Sequence, residues 1–123
     1  MKLYQVAPML RTRNLQQTIS FYETVLGFKS QSNFPGFASL SLQDAELMFI
    51  EPGEPFDGPQ LSGNIYFFME GVNTLWEIVK DKATIKTTIG NRAYLMRDFS
   101  LLDNNGYELV FGEDISVKPM TGN

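Results

Sequence analysis

The stretch NLQQTISFYETVLGF, Asn14 to Phe28, decides how this chain folds. Its apolar residues Leu15, Ile19, Tyr22 and Leu26, with Val25 beside them, recur at a period near 3.6 and so share one stripe of a helix. Asn14 is placed to cap the amino end, because its side-chain oxygen can accept from a backbone N–H that the first turn leaves without a partner. Gly27 suits the left-handed position that ends a helix. Phe28 then restarts the chain as an extended segment reaching Asn33. A strand therefore enters through Val6 to Arg11, a helix crosses over, and a strand leaves after a glycine.

Outward from this stretch, Leu3 to Thr12 alternates as a strand, and Pro8 inside it asks for an edge or a bulge because proline donates no ladder hydrogen bond. Pro35-Gly36 marks a turn. Phe37 to Leu42 alternates strictly, with Ala38, Leu40 and Leu42 on one face, and residues 43–45 turn into a strand over Glu46 to Ile50. Module one is thus a strand, a helix and three strands. The prolines, glycines and acids of Glu51 to Gly63 oppose regular structure and read as a linker. Asn64 to Met69 resumes as a strand, and Val72 to Lys82 is a second helix with Val72, Leu75, Trp76 and Val79 on one stripe. Thr84 to Thr88, Ala93 to Leu102 and Tyr107 to Phe111 read as strands, with Asp103 to Gly106 as the last hairpin turn.

The two halves repeat. AELMFIE at 45–51 lies over YELVFGE at 107–113, agreeing at Glu, Leu, Phe and Glu. The reading is one domain, 1–123: module one about 1–51, linker 52–63, module two about 64–113 and a tail over 114–123. The fold class is α+β, two pseudo-symmetric βαβββ modules forming a half-open cup of mixed sheet with helices on the convex face.

Composition narrows the chemistry. The chain of 123 residues has no cysteine, which excludes a thiol nucleophile, a disulfide framework and a thiolate metal site. It has no histidine, which removes the commonest general base and transition-metal ligand. The net charge is −4, and the ten Lys and Arg are scattered rather than striped, so no nucleic-acid partner is expected. No apolar run approaches a membrane span and the start lacks a signal-peptide pattern, so the expected location is cytoplasmic, with no membrane partner.

Two motifs carry a family resemblance. TISFYETVLGF, Thr18 to Phe28, resembles the helix signature of the vicinal oxygen chelate superfamily, the group of glyoxalase I, extradiol dioxygenases, fosfomycin-resistance enzymes and bleomycin-resistance proteins. RDFSLLDNNGYELVF, Arg97 to Phe111, resembles its closing hairpin. The resemblance spans nearly the whole chain and implies the same two-module fold, which hosts several unrelated activities. In metal-dependent relatives four residues at the cup centre bind an ion, and those places fall here on Ala7, Met48, Asn64 and Val110. Hard cations need several oxygen ligands, and this set offers one neutral amide oxygen and one thioether. No cofactor is therefore expected.

Taking those four places as cup-facing, period-two alternation brings Gln5, Met9, Arg11, Glu46, Ile50, Tyr66, Phe68 and Glu108 to the same faces, and Phe37, Ser39 and Ser41 join them. The expected ligand-binding set is Met9, Arg11, Phe37, Ser39, Glu46, Met48, Asn64, Tyr66, Phe68, Glu108 and Val110, with no catalytic and no metal residues. Such a lining suits an apolar or aromatic ligand held by a few polar contacts, and aromatic faces also hold cations. Two readings of the aromatics stay open: Phe37, Tyr66 and Phe68 line a ligand site, or they pack against the other module or a second subunit. Glu46 and Glu108 read as solvated rim residues before they read as a catalytic pair. Trp76 reads as core, Arg97 as a structural ion pair, and the linker with Phe56 amid Glu51, Glu54 and Asp57 as a solvated loop or a lid.

The functional expectation is a metal-free small-molecule binding protein of the bleomycin-resistance kind, which its size, acidity and ProMetLeuArg opening at 8–11 also resemble. It would sequester an apolar or aromatic, even cationic, ligand as a homodimer, since half-open sheets leave edges to cover. The alternatives are a glyoxalase- or dioxygenase-like enzyme with a base among Glu46, Glu108 and Tyr66, and a structural or regulatory protein with an empty cup.

Overall fold

Asn14 caps the first helix as its chemistry predicts: its Oδ1 accepts from the Gln17 N–H at 3.0 Å. The computed structural model describes residues 1–32, 34–53, 58–59 and 61–116. The helix α1 (Leu15–Phe21) runs on into one π turn, Tyr22–Leu26, which Gly27 closes at φ 80°. The Tyr22 carbonyl accepts from both Gly27 and Phe28, so the last turn widens rather than keeping the 3.6 period. Leu15, Thr18, Tyr22 and Leu26 form the buried stripe, and Ile19 is only half-buried. Thr18 replaces it inside because its hydroxyl is satisfied there, lying 2.8 Å from Thr12 Oγ1 and accepting from the side-chain amides of Asn104 and Asn105.

Around α1 stand β1 (Met9–Arg11), β2 (Lys29–Gln31), β3 (Phe37–Leu42) and β4 (Ala45–Ile50), in the sheet order β1-β4-β3-β2. The entering strand is shorter than its alternation predicts. Pro8 lacks an N–H, the ladder starts only at Met9, and residues 1–6 are exposed. Pro8 still contributes its carbonyl, which accepts from Met48 N at 2.9 Å. The second module repeats the plan with β5 (Ile65–Phe68), α2 (Val72–Val79), β6 (Thr84–Asn91), β7 (Met96–Leu102) and β8 (Glu108–Asp114), ordered β5-β8-β7-β6. This is an α+β fold of two βαβββ modules, each carrying a four-stranded mixed sheet. Register matches the repeat: Met9 pairs with Met48, and Tyr66, 57 residues after Met9, pairs with Val110, 62 residues after Met48.

Each sheet turns one face to its helix. In the first module Ala38, Leu40, Leu47 and Phe49 are fully or nearly fully buried, and Tyr22 lies edge-on to Phe28 and tilted against Phe49, each at 5.3 Å between centroids. In the second, Phe99, Leu101, Leu109 and Phe111 fill the core, with Phe67 stacked on Phe111 at 4.8 Å and Trp76 edge-on to Phe99. Burying each such side chain stabilises by about 1.5–3 kcal/mol. Trp76 is half-buried and caps this core through Phe99.

The duplicated glutamate that ends both repeats has one structural task. Glu51 Oε1 accepts from Leu15 N at 2.7 Å, and Glu113 Oε1 accepts from Gly71 N and Val72 N at 3.1 and 3.0 Å. Each carboxylate thus satisfies the amino end of its own module's helix, where N–H groups lack partners and the dipole favours negative charge.

Compact packing divides the chain into two units: Met1–Ser62 with Asp103–Tyr107, and Gly63–Leu102 with the strand from Glu108. The last hairpin turn so belongs with the first unit. Tyr22 OH donates to Asp103 Oδ2 at 2.8 Å, Thr12 Oγ1 to Asn105 Oδ1 at 2.8 Å, and Tyr107 OH to the Arg11 carbonyl at 2.9 Å. β6 runs past the expected end at Thr88 through Gly90 to Asn91, with two shifts of register, and the hairpin turn follows at 92–95. Arg97 donates to the side-chain oxygens of Asn73 and Asn91 rather than to a carboxylate, which corrects the ion-pair expectation. Glu54, Phe56 and Asp57 of the linker, Asn33, and the tail beyond 116 lie outside the described residues. No helix among the described residues is long and apolar enough to cross a membrane.

Candidate functional site

β7 alternates Asp98, Ser100 against Phe99, Leu101, and the apolar pair faces α2. Asp98 and Ser100 accordingly share the helix-free face of the second sheet. Asp98 pairs with Gly90 on one side and Gly112 on the other. Both glycines clear space for donors that converge on its carboxylate. A Cβ at 112 would lie 2.7 Å from Cζ of Tyr66 and closer still to its hydroxyl, and one at 90 would lie 3.1 Å from an Arg92 guanidinium nitrogen.

With that room available, Tyr66 OH donates to Asp98 Oδ2 at 2.8 Å, Tyr94 OH donates to the same oxygen at 2.6 Å, and Arg92 Nε donates to Oδ1 at 2.8 Å. Arg92 is further held by the carbonyls of Thr88 and Asp98. Asp98 is only 3% exposed. Burial pushes its carboxyl up, but hydrogen bonds from Arg92, Tyr94 and Tyr66 with the guanidinium charge outweigh this and hold it below the usual range. The phenols respond oppositely: burial, then Asp98, pushes Tyr66 well up, and the Asp98 hydrogen bond first raises Tyr94. Both phenols keep their protons at neutral pH.

These residues line a half-open pocket of about 160 Å³, together with Asn64, Thr87, Ser100, Glu108 and Val110. Ser100 is 2% exposed, and its Oγ has no hydrogen-bond partner among the described residues. Glu108 is drawn aside by Lys86 Nζ at 3.1 Å.

The helix-free face of the first sheet is simpler. Ser39 Oγ donates to Glu46 Oε2 at 2.6 Å and Gln5 Nε2 to Oε1 at 2.5 Å; these bonds, Ser39's first, lower the Glu46 carboxyl. Ser39 and Met48 are register partners, as are Met9 and Met48. Phe37 is half-buried, and Met9 and Arg11 are exposed.

Of the residues singled out from sequence, Asn64, Tyr66, Glu108 and Val110 come together in the second-sheet pocket, and Ser39 joins Glu46 in the first. Phe68 lies against Tyr66 at 4.8 Å but is 80% exposed, not a pocket wall. Asp98, Ser100, Arg92, Tyr94 and Thr87 are the additions. The alternation of RDFSLL held the signal for Asp98 and Ser100; nothing local pointed to Arg92 or Tyr94.

The relatives' metal is not supported by these donors. In the first module the corresponding places hold a methyl group and a thioether, Ala7 and Met48; in the second, the exposed amide Asn64 and the alkyl side chain Val110. Among the described residues no three of Asp, Glu, His or Cys cluster as a metal would need.

The model of the Glyoxalase/Bleomycin resistance protein/Dioxygenase superfamily matches residues 4–111. No curated protein sequence matches the chain. Among solved structures, a protein of unknown function from Agrobacterium tumefaciens str. C58 is 18% identical with a TM-score of 0.75, covering 93% of this chain and 96% of its own. A glyoxalase-related enzyme from Clostridium phytofermentans is 18% identical, with a TM-score of 0.75 and coverages of 94% and 98%. A glyoxalase/bleomycin resistance protein/dioxygenase from Alicyclobacillus acidocaldarius is 16% identical, with a TM-score of 0.75 and coverages of 90% and 91%. At these identities the likeness is one of fold.

Proposed function

Because this chain belongs to the glyoxalase/bleomycin resistance protein/dioxygenase superfamily, we propose that it serves the superfamily's binding role, a metal-free protein that holds a small molecule without transforming it. The observation that carries this reading is the donor set. The family resemblance assigns the ion-binding places to Ala7, Met48, Asn64 and Val110, and a chain without histidine or cysteine has no replacement ligands of those types. The proton acceptors that an unusual enzyme would need are also poorly prepared. Tyr66 is a committed donor with a raised pKa, and Glu46 is stabilised as its anion by Ser39 and Gln5. What remains is recognition: a half-open polar pocket on the second sheet beside the half-buried Tyr66 ring and the exposed Phe68 ring. Those rings suit an apolar or aromatic ligand, bleomycin-like cations included.

The test pairs elemental analysis of the purified protein with a thermal-shift screen of aromatic ligands, cationic and neutral. A binding protein shows no stoichiometric transition metal, and a ligand at 100 times its Kd stabilises it by about 2.7 kcal/mol through mass action. One tightly held transition ion per chain, or metal-dependent turnover of a thiol adduct, would overturn the reading.

A further inference from the structure

The second-sheet pocket differs from its counterpart in one respect that bears on what it binds. Ser39 and Ser100 occupy matching places, paired in register with Met48 and Val110. Glu46 and Glu108 also match, paired with Ser41 and Leu102. In the first module the serine hydroxyl is spent on the glutamate at 2.6 Å. In the second the glutamate turns to Lys86, and the serine hydroxyl is left buried, lining the pocket without a partner. An unsatisfied buried hydroxyl costs about 1–3 kcal/mol, so a ligand acceptor that reaches Ser100 from the pocket it lines would recover that cost.

The other polar groups define the rest of the ligand. The Tyr66 and Tyr94 protons are committed to Asp98, so both phenol oxygens present only lone pairs. Charge is balanced before anything binds: Asp98 faces Arg92, and Glu108 faces Lys86. An incoming cation would meet the Arg92 guanidinium, and an incoming anion the Asp98 and Glu108 carboxylates, with no free counter-charge for either among the described lining residues. We propose that this pocket selects an uncharged head group that both accepts and donates hydrogen bonds, of the carboxamide kind, with its carbonyl oxygen on Ser100 Oγ and its N–H groups toward the phenol oxygens. The volume of about 160 Å³ admits a group of that size, far beyond the roughly 10–15 Å³ that one water needs.

This rests on the binding reading above and specifies its ligand. Benzamide, benzamidinium and benzoate share a shape and differ in charge, so they form the probe series. Each is titrated into the ¹⁵N-labelled full chain and followed by amide chemical shifts. Benzamide is expected to shift Ser100, Val110 and their strand neighbours, with affinity about tenfold above either charged isostere. Ser100→Ala is expected to keep or raise the melting temperature, since it deletes a hydroxyl with no protein partner, while benzamide affinity falls about fivefold or more. A merely structural serine would lose melting temperature and leave affinity alone. The inference is overturned if a charged isostere binds as tightly as benzamide, if its shifts map elsewhere, or if Ser100→Ala binds benzamide like the parent. Metal content and turnover decide the binding reading, and the isostere series decides only the ligand class, so each can fail without the other.

Discussion

The two modules carry the same serine and the same glutamate at matching places, yet one pair is closed and the other open. In the first sheet Ser39 and Glu46 satisfy each other, with Gln5 completing the carboxylate. In the second, Lys86 on β6 takes Glu108, and Asp98, at the place Phe37 holds in the first, gathers three donors. One scaffold has thus been used twice, once with its serine and glutamate bonded to each other beside a pocket of about 310 Å³ at Gln5, Ser41 and Glu46, and once with a charged cluster around a pocket of about 160 Å³. The difference lies in a handful of side chains. Asp98 for Phe37 supplies the charge, and Gly112 for Ile50 supplies the space. Function in such a duplicated fold is read from where the halves disagree, because agreement mostly reports shared packing and capping, as Glu51 and Glu113 do.

The largest expected separation between the modules is at Asp98. Asp98→Asn keeps the shape but strips Arg92 and both phenols of their charged acceptor. Breaking a buried pair from one side costs about 3–5 kcal/mol, and partial exposure of Arg92 at 27% brings the expectation to about 2–3 kcal/mol. Phe37→Leu, at the matching place, should cost under about 1.5 kcal/mol. Denaturant titration of both variants checks this, and equal costs would mean the carboxylate does not organise the face.

Gly112→Ala comes next, at about 2 kcal/mol, because the added methyl must push the Tyr66 ring off the sheet and away from Asp98. Much of that cost should vanish in the Tyr66→Ala background, where nothing remains to collide. A double-mutant cycle measures the coupling, and strict additivity would count against the close approach.

The smallest effect sharpens a contrast between two buried acids. Asp98 is held below its ordinary pKa, whereas burial raises Asp103, 6% exposed, above it despite hydrogen bonds from Tyr22, Tyr107 and Asn105. An acid whose folded pKa is raised adds stability that is fully present below its unfolded value, about 3.9, and is lost as pH rises through the folded value. A lowered acid such as Asp98 does the reverse: its contribution is present above the unfolded pKa and lost as pH falls. Relative to Asp103→Asn, the parent should therefore lose stability as pH is raised from about 3 to about 7. Chemical denaturation across that range reads the difference. A parent that gains on the variant with rising pH would refute it.

What the sequence determined by itself is the scaffold. Period-two and period-3.6 patterns are local, so they located both helices and all eight strands, and the copy of AELMFIE in YELVFGE marked the duplication. For β3, β4 and β8 the side that faces a helix followed from the same alternation. Boundaries moved where a local signal served another end: Pro8 shortened the first strand, and Gly90, inside a strand that runs on to Asn91, made room for Arg92. Thr18 displaced Ile19 from the buried stripe through partners 86 and 87 residues away. Tertiary structure alone decided which polar groups are satisfied and by whom. Tyr66 reaches Asp98 across 32 residues and Tyr22 reaches Asp103 across 81, and a serine is closed where its neighbouring glutamate turns to it and open where that glutamate turns to a lysine. Alternation assigns a side chain to a face, but its hydrogen-bond partner is set by strand register and by the space beside it, and neither is a local property of the chain.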